Sequence, residues 1–239
     1  MKCKIYRFKS LKSTQDKAKE FSKKGLKNIV IVADAQIKGR GRFKRKWHSA
    51  KGGLWMSILL SPKKAENLQY LTFAAAIAVV KSIKKMTGIS TKIKWPNDVH
   101  YNGRKLCGIL TEGIFPANYA VIGIGVNVNQ SKFPNEIKNT AISLKMIKNQ
   151  TIYIKKLIRN ILYEFFNLYN NYYNKNKFEK ISKIWKMHCD TINRDVTAIT
   201  RAGRLSGKAI GIDEEGSLLL KTGKSNVVKV AEGDISIRY

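Results

Sequence analysis

The chain is short of acid, short of cysteine and without a long apolar run, and each shortage narrows what it can be. Only 16 Asp and Glu stand against 46 Lys and Arg, a formal net charge of +30. Such a field attracts acidic partners or nucleic acid and speeds their encounter, but it says nothing about fold. The lysines are scattered beside Asn and Ile, as in "NNYYNKNKFEKISKIWK", which reads as a solvated surface. The three cysteines, Cys3, Cys107 and Cys189, contain no CxxC and cannot all pair. That fits a reducing cytosol and excludes a structural zinc framework. The His188–Cys189 neighbours have no second ligand pair at metal spacing and read as packing, so no metal ligands are assigned. The start "MKCKIYRFKSLKS" has no apolar signal core, and the most apolar run, "LTFAAAIAVV", is too short to span a bilayer. A cytoplasmic protein without membrane attachment is expected.

What is present suits one large domain or one plus a small appendage: 239 residues, 44% hydrophobic. "KIYRFKSL" reads as a strand, and "STQDKAKEFSKKG" as a helix capped by Ser13 or Thr14 and stopped by Gly25. "NIVIVADAQ" and "GGLWMSILLS" read as strands. Residues 67–87 form a central helix, and "TKIKWPNDV" a strand broken by Pro96. Two further strands, "RKLCGILTEGI" and "YAVIGIGVNVN", precede amphipathic helices over 151–173 and 177–188. From about residue 191 the pattern changes to short strands and turns, the pattern of a small antiparallel barrel. The chain thus reads as α+β, divided into residues 1–190 and 191–239.

Five stretches carry candidate chemistry. "QIKGRGRFKRKW", residues 36–47, follows a strand and leads into another strand, so it is neither a P-loop nor a dinucleotide fingerprint. Its glycines open the backbone to a ligand, Arg40, Arg42 and Arg45 supply permanent planar charge, and Trp47 suits stacking. As a bare pattern it is equally a basic hairpin loop. "KWPNDV" presents Asn97 and Asp98 on a stiff turn, which ordinary turns also do. "GRKLCGILTE" places Lys105 before an apolar strand with Gly108 inside it. In "VIGIGVNVN" the period of two puts Ile122, Ile124, Val126 and Val128 on one face and Gly123, Gly125, Asn127 and Asn129 on the other. One face suits a core and the other the floor for a flat ligand. "STQ", residues 13–15, lies at a helix start where hydroxyls and free N–H groups converge. No convincing Ser/His or Cys/His pair for a protein nucleophile is visible.

Taken in order, STQ, QxxGRGR with RKW, KWPND, KLxGILxE and GIGxNVN resemble the biotin–protein ligase family. The resemblance is most specific over residues 13–129 and continues through "AEGDISIRY". It implies a class II synthetase-like mixed sheet with helices, followed by a small SH3-like β-barrel. It implies activation of biotin with ATP and Mg2+ to biotinyl-5′-AMP, then transfer to a lysine of a biotin carboxyl carrier domain. It further implies that Ser13, Thr14 and Gln36 bind the ring end of biotin, while Gly39, Arg40 and Gly41 close over it. Arg42 and Arg45 bind phosphate, and Lys105 bridges the biotin carboxylate and α-phosphate. Gly108, Gly123 and Gly125 bring backbone to the ligand, while Trp47, Asn97 and Asn127 serve the nucleotide. Asp98 orients the acceptor lysine or takes its proton. The family usually has S-T-N, and Gln15 here keeps the amide with a longer reach. A homodimer is implied. About a dozen residues precede Ser13, too few for the winged-helix module of larger members, so no specific DNA binding is expected. A lipoate ligase is the nearest alternative. A nucleic-acid-binding protein, with the barrel as reader, is the alternative from another class.

The charge predicts nonspecific DNA retention at low salt that falls steeply as salt rises. A gel shift with specific competitor checks this, and a sequence-specific complex would contradict the expectation of no operator binding.

Overall fold

The computed structural model describes residues 3–62, 67–200, 203–223 and 226–237. They form a seven-stranded mixed sheet with helices and a five-stranded antiparallel sheet. The first comprises β1 (Lys4–Phe8), β2 (Ile29–Ala33), β3 (Leu54–Leu60), β4 (Lys92–Lys94), β5 (Asp98–Tyr101), β6 (Arg104–Ile114) and β7 (Tyr119–Val126). Its order is β1-β2-β3-β7-β6-β5-β4, with β1 and β2 parallel and every other neighbour antiparallel.

Helix α1 (Thr14–Lys23) follows Ser13, whose backbone is extended and whose hydroxyl accepts the Asp16 N–H at 3.4 Å. Asp16 in the first turn and Lys23 in the last complement the helix dipole. Helix α2 (Leu68–Thr87) lies across the opposite sheet face, with residues 71–80 all buried. It ends at Gly88, which takes a left-handed φ of 75° and donates its N–H to Lys84 O. Outside α2 lie α4 (Ile154–Asn171), burying Leu157, Ile158, Ile161 and Phe165, and α5 (Phe178–His188), whose Trp185 stacks on Phe73 at 4.5 Å. A short helix, α3 (Leu144–Lys148), has no clear sequence signal in its five residues.

The expected alternation in β7 holds where it matters. Ile122, Ile124 and Val126 join the α2 core, while Gly123 and Gly125 face the other way. The strand stops at Val126, short of the expected residue 129. There Asn127 N–H turns to Leu106 O and Asn129 N–H to Gly52 O. The Asn129 side chain pairs with both backbone groups of Ile152, so it does not share the open face. The strand expected to break at Pro96 reverses outright: β4 and β5 pair antiparallel, with Lys94 opposite Asp98.

The C-terminal sheet holds β8 (Asp195–Thr200), β9 (Gly203–Ile212), β10 (Leu218–Thr222), β11 (Asn226–Val230) and β12 (Asp234–Ile237), in the order β11-β10-β9-β8-β12. The closing strand was expected to reach residue 239; residues 238–239 lie outside the described residues. Its buried Val196, Ala198, Leu218 and Leu220 belong to the same apolar cluster as the α2 core. Trp95 Nε1 donates to Gly216 O at 3.0 Å and Tyr70 Oη to Glu214 O at 2.7 Å, tying the sheet to the Pro96 turn and to α2.

His100 on β5 is buried and meets Asp190 at 3.3 Å, just after α5. Burial pulls its pKa below the ordinary value, with Asp190 opposing. The unfolded chain therefore binds this proton first as pH falls below about 6.5. Stability should drop from about pH 7.5 to about 5.5, and His100→Gln should flatten the drop; urea midpoints at the two pH values measure both.

Candidate active site

The sheet face turned away from α2 is only partly covered by α1. Where α1 stops, its N-terminus and the loop between β2 and β3 enclose a cleft of about 240 Å3. One wall is a hydrogen-bonded relay. Ser57 Oγ donates to Thr14 Oγ1 at 2.8 Å. Thr14 N–H and Oγ1 both donate to Gln36 Oε1, at 2.7 and 3.1 Å. Gln36 Nε2 continues to Ser49 Oγ at 2.9 Å, which donates to Trp47 O at 3.1 Å. The helix start thereby fixes the loop, and Gln36, far away in sequence, completes the unpaired end of α1.

A second set of contacts pins Arg40. Its guanidinium meets Asp16 Oδ1 at 2.5 Å, Ser13 Oγ at 3.3 Å and Glu112 Oε2 at 3.1 Å. Glu112, on β6, also takes Lys19 at 2.9 Å and Gln15 Nε2 at 2.8 Å. Burial raises the Glu112 pKa, but these hydrogen bonds and the charges of Arg40 and Lys19 outweigh it and hold the carboxyl below its ordinary value.

The floor is backbone. The Trp47 indole lies across Gly108 and Gly125. A methyl at Gly125 would stand 2.5 Å from Trp47 Nε1, and one at Gly108 would stand 3.1 Å from the ring. At Gly123 it would stand 2.9 Å from Gln15 Oε1. The two bare positions on β7 thus receive Gln15 and Trp47, whose Nε1 is buried without a partner.

The far end is cationic. Lys105 Nζ meets Asp98 Oδ2 at 2.7 Å and sits 5.2 Å over the Trp47 ring. Arg42 donates to Asn97 Oδ1 at 3.4 Å and Gly233 O at 3.1 Å, while Arg45 pairs with Asp234. Burial lowers the Arg42 pKa against the pull of Asp234, Asp98 and Glu232, yet a guanidinium keeps its proton. Asn97 is anchored to Ile109 through its Nδ2 at 2.8 Å, and Asn127 to Lys105 O at 3.4 Å.

The sequence-expected residues converge here with one exception. Gly39 does not line the cleft; a side chain there would strike Ser49 Oγ and Trp47 O, so it gives room to the relay. Gly41 does line it. The loop's left-handed residues are not its glycines but Phe43 and Lys44, with φ of 53° and 58°. Sequence reasoning assigns no site role to Ser57, Asp16, Glu112 or Asp234, although Glu112 and Asp234 lie in stretches that carry the resemblance. Ser57 carries a signal, being the one hydroxyl in the buried run 54–60.

Profiles of known families match in two blocks: "Biotin/lipoate A/B protein ligase family" over residues 7–129 and "Biotin protein ligase C terminal domain" over 191–238. The chain belongs to the biotin protein ligase family. It is 40% identical over 235 residues to the bifunctional ligase/repressor BirA of Bacillus subtilis, covering 95% of this chain and 72% of that protein. It is 29% identical to the biotin–[acetyl-CoA-carboxylase] ligase of Mycobacterium tuberculosis, covering 87% and 78%. Among solved structures, the biotin protein ligase of Aquifex aeolicus in complex with biotin and ATP superposes with a TM-score of 0.88 at 31% identity, covering 98% of both chains. The lipoate alternative is not favoured, because the C-terminal match is to a biotin protein ligase domain.

For this biotin protein ligase chain, Gly125→Ala should displace the indole. A misplacement of about 1 Å is enough to lower ligation about 10²-fold. Single-turnover biotinylation, with a melting curve to exclude unfolding, measures the loss.

Proposed function

We propose that the chain activates biotin with ATP and passes it to a lysine of a biotin carboxyl carrier domain. The carrying observation is one cleft that joins a hydroxyl–amide wall, a backbone floor and a cationic end made by Lys105, Arg42 and Arg45. On this reading residues 1–190 are the catalytic domain and 191–239 a C-terminal module that reaches the site through Gly233 and Asp234.

In the first step a biotin carboxylate oxygen attacks the α-phosphorus of ATP, the bond to the β-phosphate oxygen breaks, and pyrophosphate leaves. No protein nucleophile is needed. The requirement is to hold two anions together and neutralise charge growing on phosphoryl oxygens. Lys105 answers it between carboxylate and α-phosphate, and Arg42 and Arg45 along the phosphates. Ser13, Thr14, Gln15 and Gln36 hold the ring end of biotin, under Arg40 and Gly41 and over Gly108, Gly123 and Gly125. Trp47, Asn97 and Asn127 serve the nucleotide. In the second step the carrier lysine amine attacks the acyl carbon, AMP leaves, and the nitrogen gives up a proton that Asp98 is placed to accept or steer. Among the described residues no group of three or more His, Cys, Asp or Glu is placed to hold a metal ion. Mg2+ therefore enters this reading only with the triphosphate, and no step is routed through it.

The same reading takes the protein as a homodimer, as cytoplasmic and without specific DNA binding. No helix among the described residues is long and apolar enough to cross a membrane.

Pyrophosphate exchange should depend on biotin; exchange with lipoate alone would overturn the reading. Lys105→Ala and Arg42→Ala, assayed separately for adenylate formation and for transfer, should each slow adenylation about 10²- to 10³-fold, about 2.7–4 kcal/mol of barrier.

A further inference from the structure

Asp98 leans on a cation that the proposed reaction takes away. Its Oδ2 meets Lys105 Nζ at 2.7 Å. On the ligase reading that ammonium moves to the biotin carboxylate and the α-phosphate, while Asp98 is needed as an anion for transfer. Asp98 Oδ1 is buried and has no hydrogen-bond partner among the described residues. A carboxylate that loses its nearest cation in such a place takes up a proton more readily. The hairpin at Pro96 holds a second cation beside it. Lys94, at the end of β4, stands directly opposite Asp98 across the β4–β5 pair. Opposite side chains on an antiparallel pair share a face, with Cβ atoms about 4.5–5.5 Å apart. The turn between them is anchored: buried Trp95 donates its N–H to Thr191 Oγ1 at 2.9 Å and its Nε1 to Gly216 O at 3.0 Å. Lys94 is half-buried, and among the described residues its Nζ makes no hydrogen bond and no ion pair. It does not line the cleft, whereas Asp98 and Lys105 do. Burial lowers the Lys94 pKa, Asp98 and Asp234 oppose the shift, and Lys105 adds to it. Arg42 and His100 also feel the Asp98 charge. Arg42 is held by Asn97 and Gly233, His100 lies beside Asp190, and Asp234 is held by Arg45. Among these groups Lys94 alone is uncommitted.

We infer that Lys94 is a positioning residue for the transfer step: its ammonium takes Asp98 Oδ1 when Lys105 turns to the substrate, and keeps that carboxylate anionic and aimed at the acceptor amine. The inference rests on the biotin-activating reading and extends it to a residue that touches no ligand. In transfer the acyl carbon–oxygen bond to AMP breaks, the carbon–nitrogen bond forms, AMP leaves with the electron pair, and the proton on nitrogen passes to Asp98. Lys94 keeps its own protons throughout. The two lysines divide the work, Lys105 serving the substrate oxygens in front and Lys94 the protein carboxylate behind. Without the second, the first could leave Asp98 only by stranding a charge.

The test is single-turnover transfer from preformed biotinyl-5′-AMP to a biotin carrier domain, followed across pH with the full chain. Lys94→Met keeps the length of the side chain and removes its charge. It should raise the pH of half-maximal rate on the acid side by about one unit, a tenfold change in the proton affinity of the accepting group. Lys94→Arg should return that midpoint to the wild-type value. In an Asp98→Asn background, Lys94→Met should slow transfer little further, because the two residues act as one unit. An unmoved midpoint in Lys94→Met, an equal shift in Lys94→Arg, or losses that add in full overturn the inference. A crystal structure of the wild-type protein with a hydrolysis-resistant biotinyl-adenylate decides the matter even where a variant fails to fold. Lys94 Nζ should then lie about 3 Å from Asp98 Oδ1. An Nζ on the phosphate, or one left more than about 4 Å from the carboxylate, overturns the inference. Wild-type protein that forms no adenylate from biotin and ATP overturns the ligase reading first and this inference with it. Adenylate formed by the wild type, with an unmoved midpoint in Lys94→Met, overturns this inference alone.

Discussion

Everything in this molecule depends on the two-faced character of β3, β7 and β6. One face must be apolar enough to seat α2, which is buried along residues 71–80, and Met56, Ile58, Ile122, Ile124 and Ile109 meet that demand. The period of a strand then leaves the alternate positions on the other side. There β3 carries Ser57, β7 carries Gly123 and Gly125, and β6 carries Gly108 and Glu112. The core and the cleft are the two sides of a single surface, so the rigidity of one sets the precision of the other.

Charge is organised with the same economy of parts. Acidic residues are scarce, 16 in the whole chain, yet Asp98 and Asp234 line the cleft, and Asp16 and Glu112 hold Arg40, which lines it too. Each is paired with a cation that the proposed reaction uses or positions. Before substrate arrives, Lys105 rests on Asp98 and Arg45 on Asp234, so no bare cluster of positive charge has to be held together. On the proposed reading, phosphate and carboxylate oxygens exchange with protein carboxylates as partners. Such an exchange leaves a modest net gain for the ground state and reserves full stabilisation for the more highly charged transition state.

How much of this was legible in the chain depends on distance along it. The helix at 14–23 and the facing of Ile122 and Gly123 follow from local rules of capping and alternation, whereas the convergence of STQ, GRGR, WPND and GIG was implied only by the family resemblance. The hairpin at Pro96 was legible only as a break, because a proline reports that a strand stops and not where the chain goes next. Gly39 was misplaced because a glycine signals close approach without naming what approaches, and what approaches is the Ser49–Trp47 segment of its own loop. The left-handed Phe43 and Lys44 were hidden, since neither residue type advertises that conformation. The pairing of Arg45 with Asp234 joins distant parts of the chain, and no local pattern encodes it. The roles of the converging residues are a chemical reading of that geometry and rest on the experiments that test them.

The glycine floor has a consequence for how this cleft can change over generations. A ligand gripped by side chains can be released by trimming one of them. A ligand seated on main chain meets atoms that every amino acid shares, and no codon change deletes them. Variation at Gly108, Gly123 or Gly125 can only add bulk. At Gly125 even one carbon would stand 2.5 Å from Trp47 Nε1. A compound that draws its hold from this floor therefore leaves few escape routes by substitution, and each of them also disturbs the residues that the proposed substrate needs.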